Sequence, residues 1–241
     1  MMVIAYCTDS RLYEHTYTAV MALMKHNRQH IKHIHIFVNE GMGKKTCARI
    51  STPLITYHSS DDILGYLDED NIDAPSDLGI MTYARLALPF VLEEEKILYL
   101  DVDTLVRDDI SDFYNIDITN YYAAGVIEPR KSKLEQPYFN AGVLLMNLRK
   151  IREDKVHIEW LRLAQSKRKF TAHDQDIINE ICCTNILEVD PTYNSCPFTT
   201  EVDSPKIVHG TRPIKPWNPN FRYYDEWIQY SRKVKHGSKN E

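Results

Sequence analysis

The sequence predicts an α/β fold in a single domain, with a mainly parallel sheet flanked by helices, and three observations predict it. Short apolar strands alternate with helical periodicities along most of the 241 residues, which is the pattern of a doubly wound sheet. The run Ile97, Leu98, Leu100 has the near-continuous hydrophobicity of a strand buried on both faces. A chain of this length buries a substantial core, and no Gly/Ser linker, internal repeat or low-complexity tract marks a boundary within it.

The elements follow in chain order. Val3 to Tyr6 is a short strand, and after a polar turn Tyr13, Tyr17, Val20, Met21 and Met24 recur at helical spacing to complete a βα unit. His33 to Val38 alternates histidines with apolar residues as a second strand, so His33 and His35 read as its polar face rather than as a metal pair. Leu54 to Tyr57 is a third strand. Asp61 to Ser76, acidic and polar with a proline, gives a short helix and a surface loop before a helix over Ile80 to Leu88. After the strand at 97–100 come a polar helical turn at Asp108 to Tyr114 and strands at Tyr122 to Ile127 and Phe139 to Asn147. The loop 128–137 between those strands has the character of a mobile lid. Helices are expected near Glu153–Ser166 and Asp174–Cys182, the latter opened by His173-Asp174, where an acid complements the helix dipole. Residues 1–220 are expected to form the domain and 221–241 a C-terminal helix and tail, disordered from Gly237 to Glu241.

Composition excludes several classes of function. Twenty-nine Lys+Arg against 34 Asp+Glu leave a net charge of −5, so no global basic field draws the chain to nucleic acid. The odd cysteine count (Cys7, Cys47, Cys182, Cys183, Cys196), with two adjacent, matches neither a zinc motif nor a secreted disulfide framework and points to a reducing compartment. The N-terminus lacks a basic n-region and reaches Asp9 too early for a signal peptide. No window reaches the length of a membrane span. A cytoplasmic protein, soluble or peripheral, is expected. The stretch 221–235 mixes aromatics with a basic end; a terminal helix packed on the domain is preferred over one lying on an anionic membrane, because Asp225 and Glu226 dilute its charge.

The most informative feature is Asp101-Val102-Asp103, directly after the apolar strand. Side chains at i and i+2 of an extended segment point the same way, so these carboxylates can converge on one hard cation. In open α/β sheets, ligands sit outside the carboxyl ends of the strands, where these acids fall. Four further segments accompany them: Tyr83-Ala84-Arg85-Leu86, Tyr138 to Leu148, His173 to Asn179, and His209 to Trp217. In order and spacing the set resembles the family 8 retaining glycosyltransferases, over roughly residues 3–217.

That resemblance implies a GT-A-type, Rossmann-like fold and a metal-dependent transfer of a hexose from a UDP-sugar, with retention of configuration. The implied acceptor is a saccharide, glycolipid or glycoprotein. It implies Asp101, Asp103 and His209 as the metal set, and the imidazole suits Mn²⁺ better than a purely oxygen-lined site would, with Mg²⁺ as the alternative. Lys215, six residues after His209, is implied to reach the diphosphate. The family commonly has glycine three residues after this histidine, whereas here Gly210 follows it directly and Arg212 stands at the third place. Gly210 is assigned to the donor site, and Arg212 reads equally as a second cation or as a solvated loop residue. By the same resemblance Tyr6, Thr8 and Asp9 hold the base and ribose, Val102 lies against the ribose, and Arg85 serves the diphosphate and sugar. Asn140 and Ala141 surround the hexose, with Asp174 and Gln175 as the catalytic pair. For Tyr6, packing in the core is the competing account. A self-glucosylating, glycogenin-like protein and a nucleotide-sugar binder without turnover are the competing functions. Galactose and glucose are the favoured donor sugars.

Overall fold

The computed structural model describes residues 1–38, 52–74, 79–129, 136–197, 199–211 and 213–236. Cys47, Arg212, most of the 128–137 loop and the tail from Gly237 lie outside them. Among the described residues, seven strands form the main sheet: β1 (Met2–Thr8), β2 (Ile31–Val38), β3 (Ile55–Ser59), β4 (Lys96–Leu100), β6 (Ala123–Gly125), β7 (Val143–Asn147) and β8 (Ile186–Glu188). Their order is β3-β2-β1-β4-β7-β6-β8, and β5 (Thr104–Val106) with β9 (Ile207–His209) makes a separate ladder. Four of the six pairings in the main sheet are parallel; β7 runs antiparallel to both of its neighbours. The sheet is thus mostly parallel, as expected, with one reversed strand, β7, in its interior.

Alternation along the strands divides the core. Val3, Ala5, Ile97 and Tyr99 face one buried cluster, whereas Ile4, Tyr6, Leu98 and Leu100 face another with Ala19, Val20 and Leu23 of helix α1 (Tyr13–Asn27). The remaining long helices are α2 (Val156–Ala164), α3 (Asp174–Cys182) and α4 (Tyr224–His236). In α4, Trp227 and Tyr230 are buried in the cluster that contains α1, and Glu226 pairs with Arg107 at 2.8 Å. The aromatics of the terminal helix therefore pack on the domain. No helix among the described residues is long and apolar enough to cross a membrane.

Three elements depart from expectation for identifiable reasons. Residues Ile80–Ala87 form 3₁₀ turns, and α-helix begins only at Leu88. An α-helix through this segment would need Pro89 to donate to the Arg85 carbonyl; proline has no N–H, and the Leu88 N–H takes that carbonyl instead. The expected helix at 153–166 starts only at Val156, because Lys155 sits in the left-handed region at φ 59° and separates it from a helix over Leu148–Glu153. The strand expected from Phe139 begins only at Val143, since the N–H groups of Phe139, Ala141 and Gly142 go to the side chains of Asn179, Gln175 and Asn140.

Candidate active site

Sheet topology gathers distant segments at one edge. β1 and β4 are parallel, so Thr8-Asp9 and Asp101–Asp103 leave the sheet on the same side. Because β7 is reversed, the segment preceding it, Asn140-Ala141-Gly142, meets the segment following β4, and the Asp101 N–H donates to the Gly142 carbonyl at 2.8 Å. In the small ladder Thr104 lies opposite His209, and the Gly210 N–H donates to the Asp103 carbonyl at 2.9 Å, which sets His209 beside Asp103. The first turn of α3 completes the edge, preceded by His173 at φ 53°. A non-glycine residue held there stores backbone strain of the kind that clusters at ligand sites.

These segments enclose a cavity of about 640 Å³. Thr8, Asp9, Arg85, Asp101, Val102, Asp103, Asn140, Ala141, Asp174, Gln175, His209 and Lys215 all line it. Tyr6 and Gly210 do not. Tyr6 is fully buried on the α1 side of the sheet, because alternation groups it with Ile4. Its assignment to the nucleotide is therefore corrected to a core role. Gly210 likewise lies outside the lining, and a Cβ there would lie 2.3 Å from Pro216 Cδ, so glycine permits a close chain crossing at this point.

Each carboxylate of the Asp-x-Asp has one oxygen tied outward and one turned inward. Asp101 Oδ1 accepts from Arg85 Nη2 and Tyr99 Oη, each at 2.8 Å, and Asp103 Oδ2 pairs with Lys215 Nζ. The other oxygens face His209 Nε2, at 3.6 Å from Asp101 Oδ2 and 3.2 Å from Asp103 Oδ1. Behind the ring, Nδ1 lies 3.2 Å from the amide oxygens of both Asn140 and Asn194, which only accept. Nδ1 therefore carries its hydrogen, and any proton lost leaves Nε2, directing a lone pair between the carboxylates. Burial disfavours the imidazolium, but the charge of Asp103 outweighs it and lifts the His209 pKa to about 10. Burial likewise opposes ionisation of Asp103, yet Lys215 and His209 hold its carboxyl below the usual range.

The donor set fits a divalent cation. One ligand atom from each of Asp101, Asp103 and His209 lies within 4.8 Å of the others, and among the described residues no second group does so. Gly142 is part of the cradle: a Cβ there would sit 2.0 Å from His209 Cε1 and 2.7 Å from Asp101 Oδ2.

Arg85 organises the opposite wall. Its buried guanidinium pairs with Asp101 and, through Nε at 2.7 Å, with Asp174 Oδ2; it also donates to the Ala141 carbonyl and lies over the Tyr99 ring at 4.4 Å. Burial raises the Asp174 pKa to about 7, with Arg85 pulling it down and Asp101 pushing it up. Removing the arginine would leave the buried carboxylate of Asp174 and the partly buried one of Asp101 without their cation. Arg85→Ala is expected to cost about 3–5 kcal/mol, the scale for breaking a buried ion pair. Urea unfolding would check this, and a loss within error of zero would show that the cluster relaxes into water.

Sequence reasoning missed Tyr99, Gly142 and Asn194. Tyr99 had a signal, since it shares the strand parity of Asp101, and Gly142 stands in the quoted Asn-Ala-Gly segment. Nothing in the local pattern marks Asn194.

The model for glycosyl transferase family 8 matches residues 3–220. The chain belongs to this family. A putative glycosyltransferase of Haemophilus influenzae is 35% identical over 166 residues, and general stress protein A of Bacillus subtilis is 26% identical over 181. The matched stretches cover 58% and 61% of this family 8 chain and 50% and 63% of those relatives. The chain thus aligns with about half the length of the first. The galactosyltransferase LgtC, solved with donor and acceptor sugar analogs, shares the fold at a TM-score of 0.79 and 22% identity, over 96% of both chains. An LgtC active-site mutant with glutamate in place of glutamine matches at 0.82, with the same identity and coverage.

Proposed function

We propose that this family 8 chain transfers a hexose, galactose or glucose, from a UDP-sugar to a saccharide, glycolipid or glycoprotein acceptor with retention of anomeric configuration. The observation that carries the reading is the inward-facing set Asp101 Oδ2, Asp103 Oδ1 and His209 Nε2 on the wall of a cavity large enough for a nucleotide sugar. A divalent cation held by these three atoms, Mn²⁺ or secondarily Mg²⁺, would supply Lewis-acid stabilisation of the departing diphosphate.

The other residues take roles by position and chemistry. Thr8, Asp9 and Val102 serve the base and ribose. Lys215, about a third exposed beside Asp103, supplies a flexible cation to the leaving phosphate. Asn140 and Ala141 flank the hexose, and Asp174 accepts from its hydroxyls while Arg85 holds that carboxylate in place. Gln175 presents an amide, a poor nucleophile, beside the anomeric carbon, which favours front-face transfer through an oxocarbenium-like state. In that step the bond from the anomeric carbon to phosphate oxygen breaks, the acceptor oxygen bonds from the same face, and its proton passes to the departing phosphate. The LgtC structure with donor and acceptor analogs supports a two-substrate cavity, and its glutamine mutant supports a glutamine within it.

Asp174→Asn and Gln175→Ala are expected to lower kcat by at least about 10-fold while leaving UDP affinity nearly unchanged, because both residues serve the sugar and neither the nucleotide. Turnover of UDP-galactose and UDP-glucose with Mn²⁺, alongside UDP titration, would measure the split. A loss confined to UDP affinity would overturn the placement of this helix start. The absence of turnover with every UDP-sugar would overturn the activity itself.

A further inference from the structure

The carboxamide of Gln175 is held at both ends. Its Oε1 accepts the Ala141 N–H at 2.9 Å, and its Nε2 donates to Tyr138 Oη at 3.3 Å. Tyr138 Oη in turn donates to Asp176 Oδ1, and Asp176 Oδ2 accepts the Ala172 N–H at 2.7 Å. An ionised carboxylate can only accept, so the phenol must donate to it and meet Gln175 with a lone pair. That lone pair takes an N–H, which turns the amide oxygen to Ala141. The charge on one carboxylate thereby sets the polarity of the whole chain of hydrogen bonds. The phenol is buried and stays protonated, its pKa raised first by burial and then by the bond to Asp176.

Neither Tyr138 nor Asp176 lines the main cavity; both line a second one of about 380 Å³ with Arg168 and Asn179. They stand behind Gln175 and touch the lining of the main cavity through it and, from Asp176, through the Ala172 N–H. We propose that Tyr138 and Asp176 are positioning residues that fix the direction of the Gln175 carboxamide, so that one defined N–H and one carbonyl lone pair are presented to the donor hexose. This rests on the sugar-facing role given to Gln175 above. It also accounts for two acids in Asp174-Gln175-Asp176 with opposite tasks, one turned to the substrate cavity and one away from it.

The two substitutions act differently. Tyr138→Phe keeps the ring and removes the acceptor for Gln175 Nε2. Asp176→Asn offers both an oxygen and an amide: with its oxygen on the Ala172 N–H, its NH₂ points at Tyr138, the phenol must accept, and its own O–H then turns on Gln175. The Gln175 amide is driven to flip and loses Ala141. Both single variants are expected to lower kcat by about 10-fold, the scale of a small misplacement of a reacting group, with UDP affinity and melting temperature unchanged. Because Asp176 acts through the phenol, Asp176→Asn should cost little more in the Tyr138→Phe background. Losses that multiply in the double variant, or that fall on UDP affinity or stability, would overturn the proposal.

A readout independent of turnover completes the test. With ¹⁵N-glutamine labelling, the Gln175 side-chain amide resonance, identified by its disappearance in Gln175→Ala, should shift in both single variants. An unmoved resonance would overturn the positioning role whatever the enzyme transfers. If the wild-type chain turns over no UDP-sugar while the resonance moves as expected, the donor assignment fails and the orientation of Gln175 stands.

Discussion

Asp103→Ala is expected to lower donor turnover by about 10²- to 10³-fold, the scale of removing one preorganised electrostatic contact from a reacting site, and to abolish the Mn²⁺ dependence of UDP binding. Asp103 supplies one of the two inward carboxylate oxygens, and its loss leaves a cation with Asp101 and His209 alone. The fold should survive. His209 owes its raised pKa to Asp103 and can shed its proton once that charge is gone, and Lys215 is exposed enough to turn to solvent. Neither cation is trapped uncompensated, so the stability loss should stay near that of an unsatisfied buried hydrogen-bonding group, about 1–3 kcal/mol. Manganese titration, UDP calorimetry and thermal unfolding on one preparation would separate these effects. Full transfer activity in EDTA would sink the metal reading for the wild-type chain and this expectation with it.

The geometry also explains why Asp101 and Asp103 diverge in environment although they point the same way. Asp101 is drawn toward Arg85 and Tyr99, and through Arg85 to Asp174, so a change of charge at Asp174 is felt at Asp101. Asp103 is drawn instead toward Lys215. The pair stands between the two regions assigned to sugar and to diphosphate, each acid anchored by a cation from one of them.

Periodicity carried much of this into view. The apolar spacing of Tyr13, Tyr17 and Val20 marks α1, and α3 runs from Asp174 to Cys182, opening where the His173-Asp174 start signal indicated. The convergence of Asp101 and Asp103 follows from strand parity, and the same parity, applied to β1, places Tyr6 with Ile4 in the core. Other features carry no such mark. Val143 to Met146 is as apolar as a parallel core strand, and nothing in a run of buried residues tells its direction, yet the reversal of β7 is what brings Asn140 and Gly142 to Asp101. The left-handed turn at Lys155 falls on a residue type that rarely adopts it. Asn194 reaches His209 only because a tertiary crossing places it there.

Gly142→Ala is expected to weaken Mn²⁺ binding by at least about 100-fold, the upper end of what supporting contacts around a metal contribute, although the change adds one methyl group and removes no ligand. The added carbon would stand 2.0 Å from His209 Cε1 and 2.7 Å from Asp101 Oδ2, so two of the three ligand side chains would have to move together. His209 has little freedom to retreat, since Nδ1 is held by Asn140 and Asn194 and the ring is buried. Backbone retreat is also blocked, because the Gly142 carbonyl accepts the Asp101 N–H and the Gly142 N–H donates to Asn140 Oδ1 at 3.0 Å. Gly125→Ala is the matched control. There the new methyl would meet Leu144 Cδ2 at 2.9 Å, the far end of a flexible side chain, so stability should fall modestly while Mn²⁺ affinity holds. Electron paramagnetic resonance of Mn²⁺ in the two variants would compare them directly, and equal affinities would show that the metal is bound away from the wall that Gly142 forms.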